Sequence, residues 1–330
     1  MHHEEIVYFL DWARFVRHPV LICEHRKCIC GLLRLINDDN TILSHSQIIH
    51  PMTTPSIYRI ASFSHQAQGG NPAGVWLGPA FPSDQEMQAL AADLGYSETV
   101  FAFPLEDGWR VRYFSPESEV PFCGHATIAL GAVLAQVHGN DTYHLQLNHG
   151  NIQVEGRLNE GKMFASLQSP PTHSKPVATT LLAEVMELFG ITPEQLDERL
   201  APAWIHGGAN HIVLALRDRA DLSAMNYELD AGRALMRNHQ LVTIMLVYIE
   251  DPQRFHSRNA FASGGVYEDP ATGAASAAFA GYLRDINWPH QGKIQLIQGE
   301  DMGMRSVIDA EISDIKGSSI RISGEARVME

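Results

Sequence analysis

Phe114 to Leu134 reads FSPESEVPFCGHATIALGAVL, and Phe261 to Leu283 reads FASGGVYEDPATGAASAAFAGYL. Aligning Cys123-Gly124-His125-Ala126 on Thr272-Gly273-Ala274-Ala275 gives one pattern twice: a phenylalanine, an acidic turn, a small residue before glycine, then an apolar helix. An internal repeat of long period implies two similar halves facing each other. In the second copy Glu268-Asp269-Pro270 stops an extended run, and Thr272-Gly273 opens an alanine-rich helix. Small residues at such a helix start leave backbone N–H groups bare. With the positive end of the macrodipole they make a seat for a carboxylate or another anion. Ahead of each copy lies a weaker match, Gly69 to Val75 (GGNPAGV) and Gly207 to Val213 (GGANHIV).

With 330 residues and 45% apolar content, the chain has material for two domains with substantial cores. A formal charge of −14 argues against nucleic-acid and anionic-membrane partners, which need a basic face. No run of 18 apolar residues occurs, and the acidic start MHHEEI lacks the basic region of a secretory signal. The expected location is the cytoplasm. Four cysteines do not make a disulfide scaffold, and three of them, Cys23, Cys28 and Cys30, fall in the first 51 residues with His18 and His25. That cluster invites a zinc reading, but no second Cys-x-x-Cys or His-x-His pair follows at finger spacing. The plainer expectation is a peripheral segment with no metal.

The local grammar is legible along the rest of the chain. Tyr58 to Phe63 reads as a strand, GGNPAG as a tight loop and Val75 to Leu77 as the partner strand. Ser83-Asp84-Gln85-Glu86 is a capping box, and Met87, Leu90, Ala91 and Leu94 follow at helical spacing before Gly95. Glu98 to Phe103 and Trp109 to Phe114 read as a hairpin about Glu106-Asp107-Gly108, and Ala126 to Gln136 as a helix. Ser169 to Pro176 has linker composition, Thr192-Pro193-Glu194-Gln195 starts a capped helix, and Ile212 to Leu216 and Leu241 to Ile249 are strands. Ile320, Ile322 and Val328 mark a last strand. No Gly-x-Gly-x-x-Gly after a strand, no Walker loop and no His-Glu-x-x-His motif occurs, so no nucleotide, flavin or catalytic metal is expected.

Chemistry then falls to side chains. Glu98 heads an apolar strand, where burial favours the protonated carboxyl and lets it donate as well as accept a proton; taken alone, it also reads as a solvated strand-end glutamate. His125, one residue past Gly124, either hydrogen-bonds a ligand or merely sits at a helix start. Asp269 before Pro270 has the same two readings.

GGNPAGV (69–75), GYSETVFAF (95–103), RYFSPESEVPFCGHATIALGAVL (112–134) and EDPATGAASAAFAGYL (268–283) together resemble the phenazine-biosynthesis isomerase family, the PhzF-like proteins of diaminopimelate epimerase fold. The resemblance covers residues 52 to 330. It implies an α+β fold of two pseudo-symmetric halves, each a mixed sheet curled around a central helix: 52–170 with a returning strand at about 318–330, and 177–317. It also implies Glu98 as general acid/base with His125 and Asp269 as catalytic partners, and Asn71, Gly124, His125, Gly273 and Ala274 as substrate-binding positions. Ala274 departs from the family's usual serine, which puts the substrate in question, and Ala61 replaces an acid usual in the first strand.

The function implied is a cofactor-independent isomerase that moves a proton within a small carboxylate-bearing metabolite. A second copy of the chain is the expected partner, with neither nucleic acid nor membrane. Two alternatives stand beside it. A thiol-dependent racemase needs two facing thiols, but Cys123 is matched by Thr272. A catalytically silent anion-binding protein would keep only the helix starts. Residues 1–51 precede the family pattern and are either an over-read of the start or a genuine extension. A chain beginning at Met52 is expected to fold, to bind ligand and to be indifferent to chelators. Loss of folding, or stoichiometric zinc in the full chain, would contradict this.

Overall fold

The computed structural model describes residues 55–330; the cysteine cluster and the proposed extension lie outside them. Strand β1 (Ser56–Ser64) turns through Gly69 and Gly70, both at positive φ, into the antiparallel β2 (Asn71–Leu77). A side chain at Gly69 would place its Cβ 2.0 Å from the Arg305 carbonyl oxygen, so glycine is required where the hairpin tip abuts the later chain. The loop is shorter than the expected GGNPAG, because Asn71 to Gly74 already pair with β1.

Helix α1 (Asp84–Leu94) has the expected capping box between Ser83 and Glu86 and ends at Gly95 in the left-handed conformation. It leads to β3 (Glu98–Pro104), which runs parallel to β2, and then to β4 (Trp109–Phe114) and the two-residue β5 (Glu119–Val120). Helix α2 (Gly124–His138) follows, with every residue from His125 to Ala135 buried. A helix apolar on all sides must be enclosed. The enclosure is a closed ring: β6 (Asp141–Leu147) joins β4, continues through β7 (Gly150–Asn159) and β8 (Lys162–Gln168), and the last strand, β17 (Arg321–Val328), bridges β8 to β1. Gly156 of β7 lets the helix approach closely, since a Cβ there would sit 2.1 Å from the Gly131 carbonyl oxygen.

The chain then builds a second run of strands. β9 (His173–Pro176) pairs with β10 (Ala203–His206), β10 with β11 (Asn210–Leu216), and β11 in parallel with β12 (Thr243–Asp251). β13 (Arg254–Ala260) follows, flanked by β14 (Glu268–Asp269) and β15 (Lys293–Gln298); β16 (Ser306–Glu311) returns the sheet to β17. Between β8 and β16 the chain also forms α3 (Thr179–Phe189), α4 (Arg219–Ser223) and α5 (Leu229–Asn238), and then α6 (Gly273–Asp285), which is buried from Ala275 to Arg284 and packs on β9, β10, β11, β16 and β17. The apolar faces of α3 and α5 cover the other side of β11 and β12 through Leu181, Val185 and Met236.

Three local expectations are corrected. The capped start at Thr192 yields a single 3-10 turn, Pro193–Gln195, because Leu196 goes extended and bridges Leu216 instead of continuing an apolar stripe. The linker Ser169 to Pro176 ends as a strand, since β10 offers its edge to His173–Pro176. The acidic turn at Glu268-Asp269 is also paired as a strand. Glu268 is held there by a buried ion pair with Arg258, whose Nη2 lies 2.5 Å from its carboxylate. Among the described residues no helix is long and apolar enough to cross a membrane.

Candidate active site

Strand alternation decides where Glu98 points. Val100 and Ala102 share its face of β3 and pack into the core around α2, while Phe101 packs with Trp76 and Met87 on the opposite side. Glu98 therefore stands on the inner face at the end of the strand, beside the start of α2, with its side chain 16% exposed. His125, 7% exposed, places Nε2 3.4 Å from Glu98 Oε2 and 3.3 Å from Ser97 Oγ. Its other ring nitrogen, Nδ1, is 3.3 Å from Cys123 Sγ. The Ser62 hydroxyl donates to the His125 carbonyl at 2.7 Å and fixes the first turn of the helix to β1.

Asp269 and Asn71 are brought together from opposite ends of the chain. Asn71 Nδ2 donates to Asp269 Oδ1 at 2.8 Å and to the Ala271 carbonyl at 3.1 Å. The Thr272 hydroxyl donates to Asp269 Oδ2 at 2.5 Å. Burial pushes Asp269 up to about 6; His125, the Thr272 hydroxyl and Asn71 pull it down, and the nearby Glu98 carboxylate raises it. Asp269 thus senses the charges of His125 and Glu98. The folded chain holds the Asp269 proton more tightly than the unfolded chain does. This group's stabilising contribution is full below pH about 4 and is lost as pH rises through about 6, on the order of 3 kcal/mol. Asp269→Asn should flatten that part of a pH titration of unfolding free energy; an unchanged profile would place the proton elsewhere. Cys123 is buried, and burial, then the Glu98 carboxylate, push its thiol well above the ordinary thiol range.

Two helix starts open at this place. Cys123 and Thr272 are the N-cap residues of α2 and α6, and neither side chain takes a hydrogen bond from the turn it precedes. The leading N–H groups at Gly124 and Gly273 belong to the first turns of α2 and α6, where no intrahelical acceptor is available. A Cβ at Gly124 would meet nothing within 4 Å, and one at Gly273 would meet only Ile322 and Phe63 at 3.7 Å, so the fold itself does not require these glycines. Gly124, Gly273 and Ala274 are part-exposed, whereas His125 and Asp269 are buried. Phe63 sits at a bulge in β1 with φ 62, a conformation costing about 1 kcal/mol or more for a bulky residue. That bulge carries its ring to the start of α6.

Each residue singled out in the sequence is thus placed. Glu98 and His125 touch, and Asp269 lies within their field. Asn71 acts on Asp269 directly. Glu98, Cys123 and His125 also form the one set of potential metal donors among the described residues, their atoms within 4.8 Å of one another. Sequence reading passed over Gln298, fully buried at the end of β15, which donates from Nε2 to the Asp269 carbonyl at 2.6 Å and to Thr272 Oγ1 at 3.0 Å. A polar residue ending an apolar strand is its only local mark. It also passed over Ser62 and Ser97, whose roles depend on contacts distant in sequence.

A solved Bacillus anthracis phenazine biosynthesis protein of the PhzF family matches with a TM-score of 0.74 at 21% identity, covering 84% of this chain and 98% of that one. The architecture is thus an epimerase-like α+β fold with a barrel-like ring. Residues 60–330 match the family model described as phenazine biosynthesis-like protein (PhzC-PhzF). An uncharacterized isomerase of Deinococcus radiodurans is 31% identical over 290 residues, 84% of this chain and 93% of that protein. The uncharacterized isomerase YddE of Escherichia coli is 28% identical over 286 residues, 83% of this chain and 96% of the relative. The chain belongs to the phenazine biosynthesis-like family, and that kinship makes it an enzyme of the isomerase class.

Proposed function

We propose that this isomerase moves a proton between two carbons of one small carboxylate-bearing metabolite, without a cofactor. The observation that carries the reading is Glu98 Oε2 at 3.4 Å from His125 Nε2 beside two helix starts with no side-chain cap. The substrate carboxylate is held by the backbone N–H groups at Gly124 and Gly273. Glu98 takes a proton from an adjacent carbon, the double-bond pair shifts, and the resulting glutamic acid returns the proton to a second carbon. Atoms and charge balance within the pair of reactants, and the enzyme ends as it began. His125 steadies the Glu98 carboxylate and contacts the substrate. Asp269, held by Asn71 and Thr272, supplies a second acid whose protonation changes near pH 6.

The pseudo-symmetric pairing of halves belongs to the same proposal: the ring around α2 and the strand run around α6 present equivalent helix starts to one ligand. Ala274 supplies no hydroxyl at the start of α6, so the preferred substrate is one without the polar group a serine would bind. A two-thiol racemase is disfavoured by Thr272, whose hydroxyl is already committed to Asp269. The test is an exchange screen in deuterium oxide over unsaturated carboxylates and amino acids, read by loss of C–H signals in proton NMR. Exchange at one carbon with transfer to another is expected for at least one compound. Binding without exchange across the panel would return the silent-binder reading.

A further inference from the structure

We infer that Gln298 is a positioning residue: it directs the Thr272 hydroxyl hydrogen onto Asp269 Oδ2 and fixes the turn from which α6 starts. The proposal rests on the reading above only in treating Asp269 as a site residue.

The Gln298 amide has two hydrogens: one goes to the Asp269 carbonyl at 2.6 Å and the other to Thr272 Oγ1 at 3.0 Å. Its oxygen accepts from the Thr272 backbone N–H at 3.1 Å. The amide orientation is therefore determined, since the flipped amide would set NH2 against the Thr272 N–H and oxygen against the Asp269 carbonyl oxygen. A threonine hydroxyl has a single hydrogen. Receiving a donor from Gln298, Thr272 Oγ1 turns that hydrogen onto Asp269 Oδ2 at 2.5 Å. The result is a directed chain, amide to hydroxyl to carboxylate, in which each bond polarises the next. Asn71 serves the other carboxylate oxygen from β2, so each oxygen of Asp269 receives one donor, and the two donors come from opposite ends of the sequence.

The cost of leaving the chain incomplete is what gives Gln298 its leverage. Asp269 is buried, and the titratable groups that face it are Glu98 from β3 and His125 and Cys123 from the start of α2. Donors to a buried carboxylate favour its charged form, and losing them shifts the balance toward the neutral acid. Gln298 is itself fully buried and is placed by the parallel pairing of β15 with β13, where it stands opposite Ser257. The next residue, Gly299, takes φ 73 and would otherwise crowd the Met304 and Pro270 carbonyls, so the chain turns away directly after the amide is set.

The test follows Asp269 by carbon-13 NMR of aspartate-labelled protein through a pH titration. In Gln298→Met and in Gln298→Leu, which remove the donor without adding a charge, the midpoint of Asp269 is expected to rise by about one pH unit, with far-UV CD unchanged. Thr272→Val should raise it similarly. The double variant Gln298→Met/Thr272→Val should add little to either, because both remove the same chain. Gln298→Leu carries the comparison if the methionine variant does not fold. An Asp269 midpoint unmoved in the Gln298 variants, or full additivity with Thr272→Val, overturns the proposal. No substrate enters this measurement, so its failure is distinct from failure of the exchange screen.

Discussion

Glu98→Gln should still bind the substrate yet lose about 10²-fold or more of turnover, the lower scale for a positioned acid/base. Glutamine keeps the shape of the side chain and its place beside His125 but has no proton to exchange with carbon. Cys123→Ala, assayed on the same compound, should lose far less. The thiol is buried and held protonated by burial and by the Glu98 carboxylate, and the position matched to it in the second repeat is Thr272. The pair of variants separates the two chemistries. A dead thiol variant with an active glutamine variant would replace the single-carboxylate mechanism with a thiol-dependent racemase. Asp269→Asn and His125→Ala should each weaken binding and rate together, because both residues line the same place from different elements.

Gly124→Val and Gly273→Val should each raise the dissociation constant of the carboxylate found in the exchange screen by about 100-fold, with far-UV CD nearly unchanged. Charge-assisted bonds from backbone N–H groups are worth a few kcal/mol at most, which sets that scale. The structure sharpens the expectation. A Cβ at Gly124 enters open space and one at Gly273 makes only ordinary contacts, so the added side chain displaces ligand rather than fold. Isothermal titration checks it. Unaltered binding in both variants would remove the paired helix starts from the mechanism.

Much of this was written in local sequence. The repeat itself marks both buried helices, because an apolar run opened by a small residue and glycine has few other destinations. The capping box at Ser83 and Glu86 and the left-handed stop at Gly95 are short-range chemistry, satisfied within one turn and therefore readable without the rest of the chain. Glu98, His125 and Asp269 were reached through motif and resemblance, and they lie together. Where a local signal had a nonlocal competitor it failed: the helix opened at Thr192 stops after one turn because Leu196 bridges Leu216, and Glu268 pairs with Ala260 of β13.

What the tertiary structure decided is the set of contacts that depend on register. Asn71 reaches Asp269 across 198 residues only because β1 and β2 pair Ser62 with Asn71 and β13 pairs Asn259 with Asp269. A slip by one residue in a strand turns its side chains to the opposite face, so no composition or spacing within either segment could specify that contact. Gln298 is the clearest case. Its sequence neighbours make it one more polar end to an apolar strand, and its partners exist only once β15 has paired with β13. The sequence by itself determined which segments would be buried helices and which residues could carry a proton, because periodicity, caps and side-chain chemistry act locally. Which donors stand on which carboxylate oxygen was left to the closure of the sheet, because that depends on strands far apart in the chain coming into register.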